Sequence, residues 1–172
     1  MAAMTDASAS PDPIMEAIGQ AVTEGRTGDI AAARAKLMTV WAEIGVLGDP
    51  LHRCSLAHYL ADLYDDPAQA LAWNIRALDA ADAATDERLQ AHHAGLQIAA
   101  FYPSLHLNLA DDYRRLGSFE AAEAHIQQAE QCAPTLPEDP YGDLIRSAVK
   151  EVAEAITAKD TAPRPSAPGP GR

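Results

Sequence analysis

The stretch PSLHLNLADDYRRLGSFEAAEAHIQQAEQCAPTL, residues 103–136, carries the strongest pattern in the chain. Its apolar and small residues fall at Leu109, Ala110, Tyr113, Gly117, Phe119, Ala122, Ile126, Ala129 and Pro134. Spacings of three and four place such residues on one face of a helix. Gly117 interrupts the pattern where a hairpin turn is needed, and Pro134 follows its end. Two antiparallel helices are predicted, with small side chains that let them approach closely.

The pattern extends outward from this hairpin. Leu60-Ala61-Asp62-Leu63-Tyr64 matches Leu109-Ala110-Asp111-Asp112-Tyr113, and Pro67-Ala68-Gln69-Ala70 with Ala77 parallels Phe119-Glu120-Ala121-Ala122 with Ala129. The earlier copy has a turn three residues shorter, and a weaker third copy runs through Ala21, Gly28 and Ala33. Asp-Pro pairs at Asp12-Pro13, Asp49-Pro50, Asp66-Pro67 and Asp139-Pro140 mark helix starts. The carboxylate accepts from free amides there, and proline at the first helical position gives up no hydrogen bond. Asp29, Thr85 and Ser118 are further candidate caps, and Pro103 suits another start. The predicted helices span 13–25, 29–45, 50–64, 67–82, 86–101, 103–116, 119–132 and 140–158. Stripes at Leu37, Val40, Trp41, Ile44 and at Leu144, Ile145, Ala148, Val152, Ile156 support them. No segment alternates as a strand would.

The 103–136 hairpin resembles the tetratricopeptide repeat, a helix-turn-helix unit of about 34 residues with the pattern W-x2-L-G-x2-Y, A-x3-F, P. His106 stands at the usual tryptophan and Ala110 at the usual glycine. The resemblance covers the last copy well, the middle one less and the first poorly; short acidic, alanine-rich actinobacterial proteins of this family look similar. It implies an all-α, right-handed solenoid of about three antiparallel hairpins, with an extra helix near 86–101 and a C-terminal capping helix. The expected organisation is a disordered 1–11, a repeat domain over 12–158, and a flexible Pro/Gly-rich tail over 159–172.

Composition fits that reading. Roughly one of the 172 residues in five is alanine, the strongest helix former. The net charge of −12 disfavours nucleic acid and would suit a basic partner. Cys54 and Cys132 form no CxxC pair, and the N-terminus has neither the basic nor the apolar region of a signal peptide. Leu89–Ala110 lacks acidic and basic residues other than histidine, but Gln90, Gln97, Pro103 and Asn108 argue against a membrane span. A cytoplasmic protein without cofactor is expected.

Members of the family bind partner segments on the first helix of each hairpin. Carried over, the groove positions are Ser104, Leu107, Asn108, Asp111 and Arg114 in the last copy, and Ser55, His58, Tyr59, Asp62 and Asp65 in the middle one. The first copy contributes Met15, Ile18, Gly19 and Val22, which read as packing. This groove is expected to be acidic, with Arg114 as its basic exception. Leu107, Asp111 and Asp62 stand where the family's carboxylate clamp needs cations or amides, so capture of a chain terminus is not expected.

The expected function is therefore non-catalytic protein binding, with a homodimer through the N-terminal hairpin as a further option. Two alternatives exist. Asp62 and His58 share a helix face at i, i+4, and with His92, His93 and His106 they could form a metal-dependent active site. A ligand-sensing regulatory role would need a separate output protein, since no basic helix-turn-helix is present. Ser55 near His58 lacks a GxSxG context, and no phosphate-binding or dinucleotide-binding glycine motif occurs. Trp41 and Trp73 fall in second helices of hairpins, where core packing is their expected role.

Overall fold

A computed structural model of the chain describes residues 12–84 and 93–165, with side chains of 93–98 outside the description. The calls on 1–11, the Thr85 cap, His92 and residues 166–172 lie outside the described residues. The regular elements among the described residues are all helices, without strands: α1 Pro13–Arg26, α2 Ile30–Ile44, α3 Pro50–Ala61, α4 Pro67–Asp82, α5 His93–Arg115, α6 Phe119–Cys132 and α7 Pro140–Thr157. A 3-10 turn, Ala133–Thr135, follows α6.

Each Asp-Pro pair starts a helix. Asp12 accepts from the amides of Ile14 and Met15, Asp49 from Leu51 and His52, Asp66 from Ala68, and Asp139 from Gly142. Asp29 caps α2 through Ala32, whereas Ser118 occupies the cap position of α6 without a side-chain hydrogen bond. Gly28 and Gly117 turn the first and last hairpins at φ 108° and 77°, a left-handed conformation that costs glycine little.

The helices pair as α1 with α2, α3 with α4 and α5 with α6. Successive hairpins meet through α1, α2 and α3, then through α3, α4 and α5, and α7 packs on both α5 and α6. The small residues shared by the two better copies lie at these contacts. Leu60, Ala61, Ala70 and Ala77 are buried, as are Leu109, Ala110, Ala122 and Ala129. One apolar cluster spans α1–α4 with Leu105 of α5, and includes Trp73 with Trp41 packed against it. Their rings meet edge-on at 5.2 Å. A second cluster joins α5, α6 and α7 through Leu107, Ala110, Ile126, Val149 and Val152.

Two expectations need correction. Pro103 does not start a helix; α5 runs through it as one element, His93–Arg115. A proline inside a helix removes one backbone hydrogen bond and crowds the preceding turn, at a cost of about 3 kcal/mol. Its ring is fully buried here, so apolar contact offsets part of that cost. Nor is the chain after α7 free over its first residues. Asp160 and Ala162 offer their carbonyls to Arg114, and Arg164 is buried.

Candidate binding cleft

One face of α1, α3, α5 and α7 encloses a cleft of roughly 700 Å³. The i, i+3, i+4 spacing of a helix turns Ser55, His58, Tyr59 and Asp62 towards it from α3 and the turn that follows. Ser104, Leu107 and Asn108 reach it from α5 by the same spacing. Seven of the ten groove positions thus converge.

The other three do not line it. Asp65 sits exposed in the α3–α4 turn, where its carbonyl accepts from Arg115 Nη2 at 2.8 Å. Asp111 and Arg114 are buried against each other, with Arg114 Nη2 2.6 Å and Nε 3.0 Å from Asp111 Oδ1. Arg114 is fully buried, so the expected basic groove residue is instead a structural clasp. Its guanidinium also bonds the carbonyls of Asp160 and Ala162. A planar fork of five donors suits this set of acceptors as an ammonium would not.

Sequence reasoning assigned no groove role to Arg26, Phe101, Tyr141, Ile145, Glu151 or Arg164, which also line the cleft. The α7 stripe at Ile145 and Ala148 was the available signal, read there only as capping. Met15, expected to pack, contributes to the wall. The charged linings are Arg26, Asp62, Glu151 and Arg164, two of each sign, so the groove is balanced rather than acidic. Met15, Phe101, Leu107, Leu144 and Ile145 make much of its surface apolar.

Burial shapes the polar groups. It pushes the Asp62 carboxyl up to about 7, with Arg26 pulling back. Burial lowers His58 to about 4, so its imidazole is neutral at physiological pH. His58 packs against Phe101 and Tyr59 at ring distances of 5.5 and 5.6 Å. Ser55 Oγ and His58 Nδ1 are buried without a hydrogen-bond partner. Such groups cost free energy unless a ligand or water satisfies them.

Of the metal alternative, His58 and Asp62 share the cleft, whereas the side chains of His92 and His93 lie outside the described residues. His106 leaves the cleft and pairs with His125, Nδ1 to Nδ1 at 3.0 Å, between Tyr102 and Tyr113. Tyr102 donates to Asp82 at 2.6 Å, joining α5 to α4. His52 meets Asp12 at 2.6 Å on the α1–α3 side. No group of three metal-binding side chains occurs among the described residues. No helix among them is long and apolar enough to cross a membrane. Neither a protein-family model, nor a curated protein, nor a solved structure matches the chain.

Proposed function

We propose that the chain is a non-catalytic, tetratricopeptide-like helical-repeat module, a right-handed solenoid that holds an extended segment of a partner protein in the cleft. The observation that carries this reading is the convergence of Ser55, His58, Tyr59, Asp62, Ser104, Leu107 and Asn108 on one concavity. The order of packing supports it as well, since each hairpin contacts the next and α7 covers the last.

The chemistry fits a peptide. Phe101, Leu107, Leu144 and Ile145 offer apolar surface for side-chain anchors. Ser55 Oγ and His58 Nδ1 are buried polar atoms in want of partners, and a peptide backbone supplies both donors and acceptors. Helices already packed in place lower the ordering cost of binding.

Charge reversal at Asp62 and Asp111 would break the Arg114 clasp as well as alter the cleft. Photo-crosslinking residues at Tyr59 and Asn108, with a control at the exposed Thr39 of α2, avoid that problem. The cleft positions are expected to capture a protein from native cytoplasm that Thr39 does not. The same products from all three positions would overturn the cleft assignment.

A further inference from the structure

The segment that follows α7 lies along one end of the cleft. Lys159 takes a left-handed φ of 53° and turns the chain back, and the Asp160 carboxylate accepts from the Ala162 amide at 2.8 Å. The strap Lys159–Pro165 then presents Thr161, Ala162, Pro163 and Pro165 to solvent. Arg164 alone is buried, at 8% exposure, and its side chain lines the cleft. Arg164 Nε stands 3.5 Å from Asp111 Oδ2, and Nη1 stands 3.4 Å from Glu151 Oε2.

We propose that this end of the cleft is a recognition site for an arginine side chain. The chain's own Arg164 occupies it, so an arginine-bearing partner segment must displace the strap to bind. The inference rests on the cleft reading above and names its ligand and its regulation.

Three observations support it. Every strap residue except Arg164 is exposed, and the contacts that seat it include the Arg164 head, two carbonyls held by Arg114 and the Asp160 amide on the Ala155 carbonyl. Two separate carboxylates flank the Arg164 head, Glu151 accepting from Nη1 at 3.4 Å and Asp111 lying 3.5 Å from Nε as an ion pair. Finally, withdrawing Arg164 removes one of the two cations among the charged linings of a balanced cleft. The remaining charged linings are then Arg26, Asp62 and Glu151, a balance that favours an incoming cation.

Attachment to α7 gives the strap an effective concentration on the order of millimolar. A lone arginine therefore competes poorly, and a successful partner adds anchors in the apolar part of the cleft. The strap thereby filters weak basic segments from matched ones.

The test uses the full chain and a capped peptide of the strap sequence, Asp-Thr-Ala-Pro-Arg-Pro, followed by NMR chemical-shift titration. Arg164→Ala is expected to bind this peptide about tenfold more tightly than the unaltered chain, because the internal competitor is gone. Replacing the peptide's arginine by alanine should abolish the gain. Adding Glu151→Gln, a change at an exposed position, should reduce it several-fold. If Arg164→Ala fails to fold, Arg164→Lys keeps the charge without the fork and should show a smaller gain.

Equal binding of the arginine and alanine peptides, or equal affinity in both chains, would overturn the proposal. Cross-linking from Tyr59 and Asn108 that Arg164→Ala leaves unchanged would do so too, while the cleft reading stands. Arginine-selective peptide binding without any cleft-specific cross-link would instead remove the partner reading and keep the arginine site.

Discussion

Asp62 and Asp111 hold the same place in two copies of one motif, Leu-Ala-Asp-x-Tyr, yet the fold uses them differently. Asp62 borders the open cleft, and burial raises its carboxyl to about 7. Asp111 is locked between Arg114 and Arg164 beneath the strap. The residue three positions on explains the contrast. In the last copy it is Arg114, one helical turn away on the same face of α5, and in the middle copy it is Asp65. Moreover, α3 ends at Ala61, so Asp65 falls in a turn, while α5 continues to Arg115. A shared motif fixes where a side chain starts; its neighbours decide whether it binds outward or clasps inward.

Breaking the clasp should have the largest effect. Arg114→Met leaves Asp111 buried without its closest partner and releases the Asp160 and Ala162 carbonyls. A loss of about 3–5 kcal/mol is expected for severing such a buried pair. Asp62→Asn should cost far less or stabilise, because it removes a carboxylate that burial disfavours. Urea unfolding of both variants compares them directly, and equal losses would show that the two aspartates are not distinct.

The pH dependence of stability comes next. Burial also raises Asp112 to about 7, although its hydrogen bond from Asn74 at 2.8 Å opposes the shift. Aspartates raised in the folded state keep protons that the unfolded chain gives up near 3.8. Their contribution is therefore intact at low pH and lost as pH rises through about 7. His58 acts in the opposite sense. Its folded value of about 4 lies below the usual 6.5, so its contribution is intact above 6.5 and lost as pH falls through about 4. Above 6.5 only the aspartate effect of these three remains. Unfolding free energy should fall by about 1 kcal/mol towards pH 8, and Asp62→Asn should flatten part of that slope. An unaltered slope in this variant would contradict the raised Asp62 carboxyl.

Helix starts give the smallest contrast between the copies. The second helix of the middle hairpin begins on Asp66, which accepts from Ala68, while that of the last begins on Ser118, which makes no such bond. Asp66→Ala should cost about 1 kcal/mol, and Ser118→Ala only a few tenths. Paired thermal melts would separate the two, and comparable losses would mean that Ser118 caps α6 after all.

Much of the helical framework was legible because its signals are local. An Asp-Pro pair can cap only the helix that follows it, and an alanine stripe at helical spacing can bury only one face. The error at Pro103 is also local in origin. Proline favours a helix start, and only the buried surroundings of its ring let α5 run through it. Much of the cleft was legible by the same helical spacing, but its far wall was not. The α7 stripe marks an apolar face, but periodicity alone does not say that Leu144, Ile145 and Glu151 line the same cleft as His58 and Asn108.

By itself, the sequence determined the helices, most of their boundaries and the small faces at Ala61, Ala77, Ala110 and Ala129, since these follow from propensity, capping and periodicity within one or two turns. Only the tertiary structure decided which charges would meet. Arg114 finds Ala162 forty-eight residues away, and Arg164 reaches back to Asp111 and Glu151. Such pairings arise from the path of the chain after α7, because a charge takes the partner that folding brings near it and periodicity carries no record of that partner.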